Sequence, residues 1–557
     1  MKVLTAAEMA ACDRVTTERY GVPQLKLMRA ASTAVAEFAR QHFRRVRRVT
    51  VLCGKGNNGG NGMMAARKLA DAGLEVTTLL LGAPVELKGD AAEAWKELAG
   101  PAHGRIYAVT TAEELAKHRS AFETELIVDA VVGTGFKPPL RELALAALER
   151  VKASGAKVLA VDLPSGWAAD SNKATEEGPV FPADAVVTFT APKPAHVFGR
   201  LTRQWDDAIV VAQIGSPEAA ALSEAGLRWT GGALGMVQAR RAVEANKGNF
   251  GHVLVVGGAL GLSGGKMGAP AMASLAALRA GAGLVTAAVP EPGVAMVGAI
   301  APELMTWPLE ATAAGEIAAK NGTAKRLEAL LAGRTVLAIG PGMGQSAAAA
   351  KFLAELLRAS EIPTVLDADA LNLLAKDDGL LAELSRGGKR KVVLTPHPGE
   401  MARLMKTTTA AVQAERLKVA REFAEKTGVT VVLKGWRTVV AHADGTAAVN
   451  TTGNPGMAKG GSGDVLTGLV AGLLAQYAAE PELAVEAAVY LHGLAGDLAV
   501  RRTGEHGLLA TDTLKELGRA FRFQPRDGSG YGWLQGMPRG DRRARAGREG
   551  RDREGRG

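Results

Sequence analysis

Short apolar runs alternate with helical stretches along nearly the whole chain. Residues 48–53 form a β-branched run that ends in a glycine loop, and 63–72 carry a helical pattern. Strand-like runs follow at 75–81, 126–132, 157–161, 185–190 and 208–212, with a helical stretch at 140–153. Continuous apolar strands interleaved with helices predict a mostly parallel sheet covered on both faces. The pattern breaks after Ser216-Pro217 and restarts, which places a boundary near residue 225. The second half repeats the theme, with strands at 252–256, 284–289, 335–339, 364–366, 392–394 and 429–433 and a helix at 269–279. A hairpin-like pair, 438–442 and 446–450, turns at Ala443-Asp444-Gly445, and a helix at 465–475 follows a second glycine-rich loop. Ligands of open α/β sheets sit beyond the carboxyl ends of the strands, so the residues there carry the candidate chemistry.

With 557 residues, 47% apolar and 22% charged, the chain is globular rather than disordered throughout. No uninterrupted apolar run approaches the roughly 18 residues of a membrane span, and no signal peptide is expected, so no membrane partner is expected either. Two cysteines, Cys12 and Cys53, make no disulfide framework, and a reducing cytoplasm is the expected compartment. Aromatics at 4% leave little for base stacking, and no specific nucleic-acid partner is expected. The net charge of +10 includes +4 from residues 539–557, where eight arginines face four acids. Residues 525–557 are expected to be a disordered Gly/Arg-rich tail.

In the first half, Gly54-Lys55-Gly56-Asn57-Asn58-Gly59-Gly60-Asn61-Gly62 satisfies G-x-G-x-x-G between a strand and a helix, a cradle of backbone N–H groups for a phosphate. A dinucleotide fingerprint also wants an acid ending the next strand; Leu79-Leu80-Leu81-Gly82 has none, which argues against a dehydrogenase. Two later strand ends do carry acids. Asp129 leads to Gly133-Thr134-Gly135, and Asp162 leads to Leu163-Pro164-Ser165-Gly166. Converging carboxylate, amide and hydroxyl oxygens suit a hard cation, and an ionised Asp beside a substrate can accept a proton. Either Asp can instead cap the helix after its strand.

In the second half, Gly453-Asn454-Pro455-Gly456-Met457-Ala458-Lys459-Gly460-Gly461-Ser462-Gly463-Asp464 lets successive N–H groups turn onto an oxyanion at a helix N-terminus. Asp464 stands where it can take a proton from a hydroxyl as a phosphoryl group arrives. Gly340-Pro341-Gly342-Met343-Gly344, Asp367-Ala368-Asp369 and Thr395-Pro396-His397-Pro398-Gly399-Glu400 end other strands, and Lys434 can meet a phosphate as a point charge. Gly261-Leu262-Ser263-Gly264-Gly265 matches a hydrolase elbow by spelling only, since Lys266-Met267-Gly268 follow before any helix. Leu260 and Met267 break a Walker pattern there.

Residues 54–62, 128–135 and 161–166, with Leu4-Thr5, Glu8-Met9, Asp13 and Tyr20-Gly21-Val22-Pro23, resemble the NAD(P)H-hydrate epimerase family. The resemblance covers residues 1–225 and implies a Rossmann-like three-layer αβα domain. It implies that Asn57, Asn58, Gly59, Gly60 and Asn61, with Gly133, Thr134, Gly135, Phe136, Lys137, Pro138 and Pro139, line the hydrated nucleotide. It further implies that Asn58, Asp129 and Ser165 ligate potassium and that Asp162 is the acid/base at the hydrated carbon. Asn61 stands where the family usually has Asp, and Met28-Arg29-Ala30-Ala31-Ser32 departs from the family helix.

The second half, from Lys247-Gly248-Asn249-Phe250-Gly251-His252 through residues 490–497 to Gly507-Leu508-Leu509-Ala510-Thr511-Asp512, resembles the ribokinase-like NAD(P)H-hydrate dehydratase family. The resemblance assigns residues 226–524 to a ribokinase-like αβα domain that dehydrates the S epimer while converting ADP, or ATP, with magnesium. Ala269, Gly342, His397 and Asp464 would contact the hydrate; Lys434, Gly435, Trp436, Arg437, Thr438 and Gly463 would contact the nucleotide. Asp464 would be the catalytic acid/base. Lys459 stands where the family usually has Ser or Thr. Together the halves imply repair of hydrated NADH and NADPH by a bifunctional enzyme, with a homo-oligomer expected. The rival is a vitamin-type kinase carrying a nucleotide-binding scaffold module. Deleting residues 528–557 is expected to leave both activities intact.

Overall fold

The computed structural model describes residues 1–99, 104–261, 265–386, 390–526, 528 and 530–538. The chain forms two compact units, Lys2–Ala225 with the chain from Gln524 onward, and Gly226–Phe523 with Met1.

The first unit is built on β1 (Arg48–Cys53), β2 (Glu75–Leu81), β3 (Arg105–Val109), β4 (Leu126–Ala130), β5 (Lys157–Val161), β6 (Ala185–Phe189) and β7 (Ala208–Ala212). They pair in parallel in the order β3-β2-β1-β4-β5-β6-β7. Alternate residues of each strand go to opposite faces, and both faces are covered. Val49, Val51 and Cys53 of β1 join a core with helices Gln24–His42, Asn57–Asp71 and Gly89–Leu98. Leu52 of β1 and Ile127 of β4 join the opposite core with helix Glu142–Ser154. The result is a three-layer αβα unit.

The second unit holds β8 (Leu227–Trp229), β9 (His252–Val256), β10 (Leu284–Pro290), β11 (Met305–Leu309), β12 (Val336–Ile339), β13 (Thr364–Leu366), β14 (Val392–Leu394), β15 (Thr430–Leu433), β16 (Val439–Ala441) and β17 (Ala447–Val449). The order is β11-β10-β9-β12-β13-β14-β15-β16-β17-β8, parallel as far as β15 and then closed by the β15–β16–β17 meander. Helix Pro481–Gly507 has a window apolar enough to cross a membrane by composition, yet 89% of that window is buried within the protein. It packs Tyr490 edge-on to Trp229 with ring centroids 5.5 Å apart.

Three sequence expectations change. Helix Asn57–Asp71 begins six residues earlier than its apolar pattern, so Asn57, Asn58 and Asn61 stand on its first turns rather than in a loop. Helix Ser462–Gln476 likewise takes in Ser462, Gly463 and Asp464. The third change concerns the expected tail at 525–557. Tyr531–Gln535 forms β18, antiparallel to β7, and completes the first unit's sheet as its eighth strand. Tyr531 and Trp533 are buried against Phe38, and the Tyr531 hydroxyl donates to the Ala34 carbonyl at 2.6 Å. The Gly/Arg composition of the surrounding residues hid this five-residue apolar segment. The arginine-rich stretch 539–557 lies outside the described residues.

Deleting 528–557 therefore removes an edge strand. Trp533→Ala should cost about 3–5 kcal/mol, the usual range for emptying a buried aromatic site. Truncation after Phe523 should lower the melting of the first unit at least as much, whereas truncation after Pro538 should melt like the full chain. Thermal unfolding of the three variants checks this.

Candidate active sites

The carboxyl ends of β1, β4, β5 and β6 open onto a cavity of about 610 Å³ in the first unit. Asn57, Asn58, Asn61, Gly133, Thr134, Gly135, Phe136 and Asp162 line it. Gly59, Gly60, Lys137, Pro138 and Pro139 do not reach its wall. Gly59 serves packing instead: a Cβ there would lie 1.8 Å from the Gly54 carbonyl oxygen, so the helix can start this close to β1 only with glycine.

Asp162 is the most constrained group in the cavity. Its backbone takes φ +69°, a left-handed conformation that a non-glycine residue holds only when its surroundings fix it. Its Oδ1 accepts from Thr188 Oγ1 at 2.9 Å and from Lys193 Nζ at 2.8 Å. Its Oδ2 accepts from the Thr134 N–H at 2.9 Å and from the Thr134 hydroxyl. Lys193 is only 2% exposed. Burial alone would raise the Asp162 carboxyl, but Lys193 and these donors outweigh it and hold the group far below its ordinary value. The pair is thus an ammonium and a carboxylate sealed together. His196 fixes the frame: its Nδ1 accepts from the Lys193 N–H at 2.9 Å, leaving Nε2–H to donate to the Asp162 carbonyl at 2.7 Å. Burial and then Lys193 push its imidazole down to about 4, so it is neutral.

Behind this pair, Asp129 is fully buried. It accepts from Ser165 Oγ at 2.6 Å and from the Ser165 N–H at 2.7 Å, while burial pushes it up to about 6. Asn58 Nδ2 donates to the carbonyls of Val132 at 2.8 Å and Val161 at 3.1 Å. That leaves the Asn58 Oδ1 buried with no partner among the described residues, and the Asn61 Oδ1 is in the same condition. A buried amide oxygen without a donor is costly. An oxygen-only group of this kind, carboxylate, hydroxyl and amide, suits a hard cation.

The second unit has two cavities at the carboxyl end of its sheet. One, of about 470 Å³, is lined by Lys266, Ala269, Gly342, Asp369, Glu400 and Asp464 among others. The other, of about 360 Å³, is lined by Lys434, Gly435, Trp436, Arg437, Thr438, Ser462 and Gly463 among others. All six expected nucleotide residues therefore share one cavity. Three of the four expected hydrate residues share the other, and His397 does not reach its wall. Its Nδ1 accepts from the N–H groups of Gly399 at 3.0 Å and Glu400 at 3.3 Å, capping helix Pro398–Leu404. At the N-terminus of a 15-residue helix, Ser462 and Gly463 line the smaller cavity and the next residue, Asp464, lines the larger. The positive end of that helix is set to face an anion passing between them.

Lys434 Nζ donates to Asp367 Oδ1 at 2.7 Å, and Thr467 Oγ1 donates to Asp367 Oδ2 at 2.6 Å. Lys266 lies 3.2 Å from Asp369, which also accepts from the Gly344 N–H at 3.0 Å. Asp464 has no such ammonium. Burial first, then the charges of Asp367 and Asp369, push it up to about 7 against the pull of Lys434. A carboxyl that titrates near neutrality at a cavity mouth is equipped for proton transfer. Of the misspelled hydrolase elbow, residues 262–264 lie outside the described residues.

Sequence reasoning missed Lys193, Thr188 and His196. The signal for Lys193 was Pro192-Lys193-Pro194 directly after a strand, where a lysine held by two prolines has little freedom to leave.

Residues 24–195 match the family described as YjeF-related protein N-terminus, and residues 253–519 match the family described as NAD(P)H-hydrate dehydratase. The bifunctional NAD(P)H-hydrate repair enzyme of Moorella thermoacetica is 40% identical over 539 residues, spanning 94% of this chain and 97% of that protein. The enzyme of the same description from Escherichia coli is 33% identical over 511 residues, 91% of each chain. Among solved structures, the ADP/ATP-dependent NAD(P)H-hydrate dehydratase of Bacillus subtilis, co-crystallised with ATP and Mg2+, is 33% identical. It covers 52% of this chain and 96% of its own, with a TM-score of 0.44.

Removing one partner of a buried ion pair strands the other charge. Lys193→Met should therefore destabilise the first unit by about 3–5 kcal/mol. The double variant Lys193→Met/Asp162→Asn should recover part of that loss, because no buried charge is left alone. A double-mutant cycle on thermal melts measures the coupling.

Proposed function

We infer, for a chain that belongs to the family of bifunctional NAD(P)H-hydrate repair enzymes, that one repair is divided between its two units. The first unit interconverts the R and S epimers of hydrated NADH and NADPH. The second dehydrates the S epimer at the expense of a nucleotide, with ADP giving AMP and phosphate.

In the first unit we assign the hydrated ring to the cavity of Asn57, Asn58, Asn61, Thr134 and Asp162. Asp162 faces the hydrated carbon as a fixed anion and stabilises positive charge that develops on the ring. Its four donors keep it from taking a proton readily, so it acts by charge and position rather than as a proton shuttle. The unpartnered Asn58 Oδ1, with Asp129 and Ser165, would hold a potassium ion. That ion would supply fixed positive charge beside the substrate's oxygens.

In the second unit the adenine nucleotide occupies the cavity of Lys434–Thr438, with its phosphates toward Gly463 and the helix N-terminus. The ring hydroxyl of the hydrate lies in the adjoining cavity beside Asp464. Asp464 takes the hydroxyl proton as the hydroxyl oxygen attacks the terminal phosphorus. The ring nitrogen's electron pair then expels phosphate and leaves a carbon–nitrogen double bond, and loss of a proton from the neighbouring ring carbon restores the conjugated dihydronicotinamide. Mg2+ would neutralise phosphate charge during the transfer. Among the described residues no three His, Cys, Asp or Glu side chains are grouped for a metal. That suits an ion that arrives with the phosphates and keeps most of its waters. A cytoplasmic, homo-oligomeric enzyme with Cys12 and Cys53 as free thiols belongs to the same proposal.

The observation that carries this reading is Asp464 on the wall of one cavity, next in sequence to Ser462 and Gly463 on the wall of the other, with its carboxyl pushed up to about 7. A general base must be ionised to work. The kcat/KM for the S hydrate should therefore rise with pH through about 7 and level off above it. Asp464→Asn should lose this limb and at least roughly 10²-fold in turnover, the scale for a positioned base, while still binding nucleotide. Free phosphate should appear with the recovered dihydronicotinamide absorbance. A stable phosphorylated product would instead identify a small-molecule kinase.

A further inference from the structure

Epimerisation needs a proton to move at the ring hydroxyl, and Asp162 is poorly placed to move it. Its carboxylate already accepts from Thr134, Thr188 and Lys193. The cavity holds one other carboxyl. Helix Ala6–Glu18 presents Ala6, Met9, Ala10 and Asp13 to it, one face at helical spacing, and Asp13 is the only ionisable residue of the four. The helix is held at its start by a capping box. The Glu8 N–H donates to Thr5 Oγ1 at 3.2 Å, and the Thr5 N–H donates to Glu8 Oε2 at 2.7 Å. Asp13 is thus placed rigidly on the cavity wall, half-buried, and accepts no hydrogen bond among the described residues.

The charged groups lining the cavity are Asp13, Lys55, Asp162 and Lys193. Burial raises the Asp13 carboxyl, Lys193 opposes, and the neighbouring Asp162 charge raises it again, with a net shift upward. Asp162 is shifted the opposite way. Two carboxyls whose surroundings drive them apart divide naturally into a fixed anion and a proton carrier. In the second unit Asp367 is likewise tied to a lysine, Lys434, and burial raises the nearby Asp464.

We propose that Asp13 is the proton donor of the epimerisation, acting across the cavity from the Asp162–Lys193 pair. This rests on the reading of the first unit as an epimerase. The Asp13 carboxyl gives its proton to the ring hydroxyl. The carbon–oxygen bond breaks, water leaves with the bonding electrons, and the ring nitrogen's electron pair forms a carbon–nitrogen double bond. The resulting cation lies beside the Asp162 carboxylate. Water then adds to the opposite face and returns its extra proton to Asp13, with no net oxidation or reduction.

The test uses the full chain and pure S epimer without nucleotide, following appearance of the R epimer. Asp13→Asn should lower kcat at least roughly 10²-fold, as loss of a positioned acid does, with KM within about threefold. Asp13→Glu should retain a measurable part of the rate. Wild-type kcat/KM should fall as pH rises and Asp13 ionises, and the residual rate of Asp13→Asn should lack that limb. Dehydration of the S epimer with ADP should be unchanged in both variants. An Asp13→Asn rate within threefold of wild type would overturn the proposal. So would loss of rate in both variants accompanied by a lowered melting of the first unit, which would make Asp13 structural. If the wild type itself forms R no faster than the uncatalysed solution, the epimerase reading fails, and not the choice of Asp13.

Discussion

Each of the two sites is arranged around a carboxylate buried at a strand end and matched by a lysine. Lys193 meets Asp162 in the first unit and Lys434 meets Asp367 in the second, at 2.8 and 2.7 Å. Each lysine donates to one aspartate, and Lys193 helps hold Asp162 well below its ordinary value. Burial raises a second carboxyl near each pair, Asp13 or Asp464; the charge of Asp367 adds to the rise at Asp464, whereas at Asp13 the pull of Lys193 outweighs the push of Asp162. In both units a lysine-paired aspartate thus stands near a second carboxyl that burial raises, the group we propose as the proton carrier. The pair and the proton carrier come from separate elements, so the parallel sheet that brings their ends together is part of the chemistry.

Much of this was legible in the sequence, for a physical reason. Parallel strands buried on both faces leave continuous apolar runs, and their acidic or glycine-rich ends stand out against them. Asp129, Asp162, Lys434 and Gly453–Asp464 were visible for that reason, and the six residues expected to contact the nucleotide do share one cavity. Lys193 was not visible as a partner, because nothing local marks a lysine that bonds an aspartate 31 positions away. His397 was expected at the hydrate from the family resemblance; its Nδ1 caps the helix that Pro398 opens, and it does not line the cavity of the other three expected residues. Asn57–Asn61 were read as loop because glycine and asparagine are poor helix formers, yet the helix begins there. Close approach to β1 required the glycines and overrode that propensity.

The end of the chain carries a related lesson. Composition judged 525–557 as one segment, whereas Tyr531–Gln535 had its own alternating apolar character and a sheet edge to cover. The first unit is consequently discontinuous in sequence. Residues that follow the second unit supply its last strand and bury Phe38. An isolated fragment of residues 1–225 lacks that strand, and its behaviour does not report on the unit in the full chain.

The central claim is that two sites in one chain act in sequence on one damaged cofactor. The most direct measurement supplies pure R epimer of hydrated NADPH with ADP and Mg2+ to the full chain and to its Asp162→Asn variant. The wild type should restore dihydronicotinamide faster than uncatalysed epimerisation permits, with one phosphate released per molecule restored. Asp162→Asn should be limited to the uncatalysed rate while still repairing added S epimer normally. Equal repair of the R epimer by both proteins, or repair without phosphate release, would contradict the account.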